Sequence, residues 1–421
     1  FKVGPDYIDP SHHTIVSGQT SRNLDTWLLA HDAVRELFHR AMNNKDIAVI
    51  EGVMGLFDGH SAASDEGSTA ELAKLLGVPV LLVVDCGKTA RSIAALVRGY
   101  RDFDDRVRVV GVILNNVGSE GHLTMCRQAI EQYSGLPVLG HLPRRNTLRL
   151  PERHLGLIPT DELKPDKEFL ETLLAHLETN FDLEQILSLC PEVPGNSAPP
   201  LLFPDTPRPP QTRIAVARDV AFTFYYPDSL DLLEAWGAEL AYFSPLEDSK
   251  LPDRVSGLYI GGGFPELYAE PLSANVPMKA AIAAGIRRGM PVYAECGGLM
   301  YVSREIIDLQ GRTYPMVNAI PVTTQIDSPR LSLGYRTVRA LNDGPLLEHG
   351  QSVRGHEFHW SVARYEDGTP ANAYNVDPGG RKEGFQMGNT LASYIHLHLG
   401  SDVRMAKRFI SQCQRFSDSQ K

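Results

Sequence analysis

Residues 293–300 read Tyr-Ala-Glu-Cys-Gly-Gly-Leu-Met, between the apolar stretch Gly-Met-Pro-Val at 289–292 and a helical pattern. An apolar run, paired glycines and a following helix predict a sharp strand-to-helix corner with Cys296 at its apex. Such an elbow tolerates only small neighbours, and Ala294 and Gly298 supply them two positions before and after. It commits this part of the chain to an α/β architecture in which a strand end opens onto a helix N-terminus, where the helix dipole favours a thiolate. A cysteine taken alone is more often a small buried hydrophobe. The Gly-Gly and the corner make Cys296 a candidate nucleophile instead.

The rest of the chain agrees with that architecture. Short β-rich runs at 46–50, 78–84, 107–114 and 137–140 alternate with helical patterns near 69–76, 90–100, 124–133 and 166–189. This alternation predicts βαβ units and a parallel sheet. Residues 191–212 are dense in proline and include Gly195, Asn196 and Ser197, which reads as a semi-stiff tether. The pattern then restarts with strands at 213–217, 239–243 and 257–260 and helices at 229–236 and 277–288. A chain of 421 residues exceeds one usual core, so the expectation is two domains, 1–190 and 213–421, joined by 191–212.

A net charge of −10 argues against a nucleic-acid or anionic-membrane surface and favours small-molecule partners. The five cysteines (86, 126, 190, 296 and 413) are odd in number and lack a Cys-x-x-Cys pair, which points to a reducing, cytoplasmic setting and away from a zinc ribbon. The longest apolar run, 78–84, falls far short of the ~20 residues of a membrane span. The chain opens on Phe1 as if already at the end of a strand, so an N-terminal segment is expected before it.

Two further features belong with the elbow. Residues 257–266, Gly-Leu-Tyr-Ile-Gly-Gly-Gly-Phe-Pro-Glu, are a strand ending in three glycines, a form that turns backbone N–H groups toward an oxyanion. Near the C-terminus, 391–398 reads as a strand whose His396 and His398 share a face, either one a base for Cys296. Glycine loop, cysteine elbow and distant histidine, in that order, resemble the class I glutamine amidotransferase domain over residues 213–415. The resemblance implies Cys296 as nucleophile, His396 as base with His398 as rival, and Gly262, Gly263 and Gly297 as oxyanion donors. The family's His-Pro-Glu ending is absent, which leaves no acidic orienter assigned. The segment 354–359, Arg-Gly-His-Glu-Phe-His, has one residue between Glu357 and the second histidine where a zinc helix has two, and His396-x-His398 lacks a third ligand.

In the first half, Glu51 and Asp58 end a strand and a glycine-spaced loop, and Asp6 and Asp9 lie in Gly-Pro-Asp-Tyr-Ile-Asp-Pro at 4–10. Carboxylates at strand ends are hard ligands for Mg2+ beside a phosphate, although each alone is an ordinary cap or turn residue. Gly87-Lys88-Thr89 lacks the first glycine of a phosphate loop. These segments, with 67–76 and Leu-Pro-Glu-Arg-His-Leu-Gly-Leu at 150–157, closely resemble the cobyrinic acid a,c-diamide synthase family from end to end. The family's phosphate loop is expected in the segment before Phe1.

The resemblance implies two α/β domains: a P-loop-NTPase-like (dethiobiotin-synthetase-like), mostly parallel sheet, and a class I glutamine amidotransferase domain. It implies ATP and Mg2+, glutamine as ammonia source, and amidation of ring acetates of a corrinoid through an acyl phosphate. Cobalt-free hydrogenobyrinic acid and nickel sirohydrochlorin remain alternatives, as does a regulatory relic without catalysis. It places Glu51 and Asp58 at metal and phosphate, Asp6 and Asp9 at substrate or metal, and Asn115 and Asn116 near the nucleotide base, where an Asx turn is the plainer reading. A homodimer stays open as the assembly.

Overall fold

The computed structural model describes residues 1–153, 156–192, 199–326, 331–366 and 372–420. The strand–helix alternation of the first half builds a three-stranded parallel sheet ordered Val80–Asp85, Val109–Val117, Val138–Pro143. The helices Ile93–Phe103 and Glu120–Ser134 connect these strands, and Leu82, Val84, Val97, Val112, Leu114 and Ile130 form the core between them. The second helix starts where the Ser119 hydroxyl accepts from His122 N–H and stops at Gly135, whose φ of 68° ends it in the left-handed region. Of the expected tether, 193–198 lie outside the described residues, as do His154 and Leu155 of the 150–157 motif.

Residues 46–50 depart from expectation. They run beside Phe1 and Val3 but form a ladder bridge only at Glu51 with Lys2, so no strand is built. The run has a partner along one edge, and Val49 is largely exposed.

The second half centres on a six-stranded sheet ordered Phe385–Met387, Thr390–Ser393, Val292–Glu295, Gly257–Ile260, Thr212–Ala217, Ala238–Phe243. Its pairs are parallel except for the antiparallel edge strand Phe385–Met387. The glycine-loop strand and the cysteine strand are neighbours, with Ile260 opposite Ala294. Residues 305–397 add a four-stranded and a five-stranded sheet, both mainly antiparallel.

The first 76 residues pack on this second half. One continuous core joins Val3, Leu24, Leu28, Val34 and Leu37 to Ile214, Val216, Leu232, Leu397 and Phe409. The buried Glu36 carboxylate accepts from the backbone N–H groups of Leu201, Leu202 and Phe203 at 2.6, 2.9 and 3.1 Å, which pins the end of the Pro-rich segment. Tyr335 Oη donates to Asp25 at 2.8 Å, and the Arg354 guanidinium reaches the Trp27 carbonyl at 2.7 Å. Among the described residues no helix is long and apolar enough to cross a membrane.

Candidate active site

Cys296 sits at the end of Val292–Glu295 and caps the helix Gly297–Val302 with φ 52° and ψ −102°, a backbone conformation that a non-glycine residue adopts only when its surroundings hold it. The hold is visible. Cys296 N–H donates to Ser393 O at 2.7 Å, and the helix behind it lies against the glycine loop. A Cβ on Gly298 would stand 2.2 Å from Ile260 O, and one on Gly297 would stand 2.9 Å from Pro265 Cδ. Glycine is therefore demanded by close approach of two backbones, as the sequence spacing anticipates. Cys296 is 5% exposed, enough to meet a small substrate from one side.

The expected strand 391–398 is broken, because the chain leaves the central sheet after Ser393 and joins the five-stranded sheet at His396–Leu397. Buried Glu383 makes the crossing: it accepts from Ser393 Oγ at 2.5 Å and from Tyr394 N–H at 2.8 Å. His396 thus stands over the elbow, where the charges of Cys296 and Glu295 favour its imidazolium form. The ring also lies against the triple glycine, so that a Cβ on Gly262 would stand 2.7 Å from His396 Cε1. His398 goes elsewhere. Its ring packs on Tyr226 at 4.6 Å and its Nδ1 accepts from Gly400 N–H at 3.0 Å, so its contacts lie with Tyr226 and Gly400 and not with the elbow. Burial holds its basicity down to about 3.

Glu295 completes the constellation, and no sequence motif marks it. His396 Nδ1–H donates to Glu295 Oε1 at 2.8 Å, with both side chains 1% exposed. The same carboxylate accepts from Leu397 N–H at 3.2 Å and from Tyr293 Oη. Burial disfavours the imidazolium, but the sulfur of Cys296 and the Glu295 carboxylate, by charge and by hydrogen bonds, outweigh it and raise His396 from 6.5 to about 10. The acidic partner stands one residue before the nucleophile and not after the histidine, where Leu397 and His398 follow.

Of the three expected oxyanion donors, Gly262 is committed elsewhere. It pairs with Phe224, giving its N–H to Phe224 O at 3.3 Å and accepting from Phe224 N–H at 3.0 Å, because the strand end keeps one more ladder partner. Gly263 N–H and Gly297 N–H have no partner among the described residues, and a Cβ on Gly297 would stand 3.1 Å from Gly263 N. Gly297 follows Cys296 directly in the chain, so this pair of amides lies at the elbow.

In the first half, the structure gathers three of the four carboxylates around one ammonium. Lys2 Nζ lies 2.6 Å from Asp9, 3.3 Å from Glu51 and 3.8 Å from Asp6, and His13 Nε2 is 2.5 Å from Glu51. Burial, then repulsion from Asp9, raises Asp6 to about 6. Asp58 is separate: it accepts from Gly55 N–H at 2.8 Å as a turn residue. Asn115 and Asn116 end the strand Val109–Val117 region in an Asx-type bond, Asn115 Oδ1 accepting from Asn116 N–H at 2.9 Å, with Asn116 at φ 61°.

Tyr7 bridges the halves. It stands one residue after Asp6, stacks on Phe224 at 5.1 Å and places its Oη 3.3 Å from His396 Nδ1. Asp6 and Tyr7 line a cleft of about 620 Å³ with Arg22, Lys164, Arg218 and Thr223. The 354–359 segment is absorbed into this architecture: His356 stacks on His396 at 4.8 Å, and Glu357 is paired to Arg336 and Arg381.

Residues 213–403 match the CobB/CobQ-like glutamine amidotransferase domain, and 10–152 match an AAA domain. Cobyrinate a,c-diamide synthase of Dehalococcoides mccartyi is 46% identical over 99% of this chain and 91% of its own length. The enzymes of that name from Priestia megaterium and Synechococcus sp. are 43% and 45% identical, over 98% and 99% of this chain and 90% and 91% of theirs. A solved glutamine amidotransferase aligns with 48% of this chain and 98% of its own at 14% identity and a TM-score of 0.36.

Proposed function

The chain belongs to the cobyrinate a,c-diamide synthase family, and from that premise we propose how its residues divide the work. The reaction is the glutamine- and ATP-dependent amidation of the a and c acetates of cobyrinic acid in cobalamin biosynthesis, a carbon–nitrogen ligation. Glutamine, ATP and a corrinoid are its small-molecule partners.

Cys296 attacks the glutamine carboxamide carbon, and the tetrahedral oxygen is met by Gly263 N–H and Gly297 N–H. His396, held as imidazolium by Glu295, gives its proton to the departing ammonia and then draws one from the water that opens the thioester. Both proton transfers use one nitrogen, because Glu295 occupies Nδ1. Ammonia released beside His396 meets Tyr7, and the cleft bordered by Asp6 and Tyr7 lies on that side. Lys164 and Arg218 on that cleft suit a ring carrying several carboxylates, whereas Arg22 is paired with Asp228 and Asp231.

A carboxylate resists attack by ammonia until one oxygen becomes a leaving group; ATP with Mg2+ supplies the phosphoryl group that makes the ring acetate an acyl phosphate. Mg2+ takes one or two carboxylates and keeps several waters, so the half-exposed Glu51 fits it, with Asp58 nearby in sequence as a second oxygen donor. Asp6 and Asp9 position the ring acetate, and Asn115 and Asn116 face the base. The matches at 10–152 and 213–403 support an ATP-using part in 1–190, a connector in 191–212 and a glutaminase in 213–421. Five free cysteines favour a cytoplasmic setting. We carry a homodimer, without nucleic-acid or membrane partners, as the working assembly.

The observation that carries this reading is the buried Glu295–His396–Cys296 line, with Tyr7 against the Nδ1 edge of His396. Its test measures glutamate release and ring amidation by the full chain and by Cys296→Ser, with cobyrinic acid, hydrogenobyrinic acid and nickel sirohydrochlorin in parallel. Loss of glutamate release in the variant is expected, with cobyrinic acid the preferred ring. Equal rates would remove Cys296 as the nucleophile.

A further inference from the structure

Outside the glutaminase site, two buried thiols and an imidazole converge on one point. Cys86 follows the strand Val80–Asp85, while His122 and Cys126 lie four residues apart on the helix Glu120–Ser134 and so share a face. One donor atom of each lies within 4.8 Å of the other two. We propose that Cys86, His122 and Cys126 bind a thiophilic divalent cation of the Zn2+ class.

The geometry suits such an ion. Tetrahedral ligation with M–S near 2.3 Å and M–N near 2.0 Å sets donor atoms about 3.5–3.8 Å apart, so the cluster closes on the ion with side-chain shifts of about 1 Å. The imidazole has two partners of its own. His122 Nε2 is 2.7 Å from Thr89 O and its Nδ1 accepts from Gly118 N–H at 3.1 Å. Both ring nitrogens are thus hydrogen-bonded without the ion, and ligation exchanges one of these bonds for the metal–nitrogen bond while the other keeps the ring in place.

Three protein donors leave one tetrahedral position for water. Two soft sulfurs and one nitrogen favour Zn2+ over Mg2+ or Ca2+, which take oxygen. His122 is half-exposed and opens a path from solvent, whereas both sulfurs are buried. Metal–sulfur bonds require both buried thiols to lose their protons. Binding therefore releases two thiol protons to water as two metal–sulfur bonds form. Cys86 Sγ–H gives up its bond to Asn115 O, 3.0 Å away. The result is a staple between the loop after Asp85 and the helix at 120–134, two segments the sequence leaves thirty residues apart.

The test uses the full chain carrying Cys296→Ser, so that the glutaminase thiol cannot compete, reduced and stripped with chelator. Titration with Co2+ should give one equivalent of tetrahedral thiolate–cobalt absorption, displaced by Zn2+. Cys86→Ser, Cys126→Ser and His122→Ala should each weaken binding by at least about 100-fold, beyond what loss of an outer partner produces. Unchanged far-ultraviolet circular dichroism checks that these variants fold. A second measurement needs no change at the site: Zn2+ should protect Cys86 and Cys126, but not Cys190, from alkylation mapped by peptide mass. Equal cobalt binding by a Cys86→Ser/Cys126→Ser double variant would overturn the proposal. So would formation of a Cys86–Cys126 disulfide in place of metal uptake.

Discussion

Replacing Glu295 by glutamine removes a buried charge and leaves the shape. His396 Nδ1–H then donates to a neutral oxygen, if the amide turns its Oε1 that way, or faces an N–H that repels it. A hydrogen bond to a charged group is worth about 1.5–3 kcal/mol, and one pKa unit is about 1.4 kcal/mol, so His396 should fall by about 1–2 units. The sign follows from the direction of the shift. The folded value, about 10, lies above the ordinary 6.5, so the stabilisation is complete below 6.5 and is lost as pH rises toward 10. The parent should therefore keep an imidazolium, and its glutaminase activity, to near pH 10. Glu295→Gln should lose activity about 1–2 pH units lower, with kcat down by about 10- to 100-fold at neutral pH. The assay is kcat/KM for glutamate release across pH 6–11, with Glu295→Asp as a partial rescue and a thermal melt to confirm folding. An unmoved alkaline limb would refute the assignment of Glu295 as the group that holds the imidazolium.

Other perturbations probe separate links. Gly298→Ala drives a Cβ to 2.2 Å from Ile260 O, so the elbow must shift; kcat should fall more than tenfold with a lower Tm, read by glutamate release and calorimetry. Tyr7→Phe keeps the ring stacked on Phe224 and should leave stability within about 1 kcal/mol, whereas Tyr7→Ala should cost about 3–5 kcal/mol by denaturant titration. Basal glutamate release that no longer responds to corrinoid and ATP in Tyr7→Ala would mark it as the coupling residue. Glu36→Ala leaves the N–H groups of residues 201–203 without their acceptor and should destabilise the chain by about 3 kcal/mol or more, seen as a lower denaturation midpoint.

The elbow is legible because glycine where two backbones touch is a local, periodic demand, written as Glu-Cys-Gly-Gly after an apolar run. The parallel sheets are legible for a similar reason: each strand is a short apolar run with a helix behind it. What spacing cannot convey is contact across the chain. Glu295 reaches His396 over 101 residues and Tyr7 reaches it over 389, and neither is flagged by its neighbours in sequence. The histidine strand misleads for a related reason. Residues 391–398 alternate as one strand would, but buried Glu383 takes the N–H of Tyr394 and turns the chain into a second sheet. Gly262 likewise looks free in sequence and is held by Phe224, a partner 38 residues before it. Asp58 also closes a turn, one of its oxygens accepting from Gly55 N–H, a contact that the ligand pattern does not announce.

The most direct measurement follows nitrogen. The full chain is given glutamine labelled with ¹⁵N in its side-chain amide, ATP, Mg2+ and cobyrinic acid, and the ring product is weighed by mass spectrometry. The expected product carries label at two new amides, while Cys296→Ser incorporates none from glutamine yet still amidates the ring when ammonium is supplied. Equal incorporation by that variant, or an unlabelled diamide from the parent, would contradict ammonia transfer from Cys296 to the activated carboxyl.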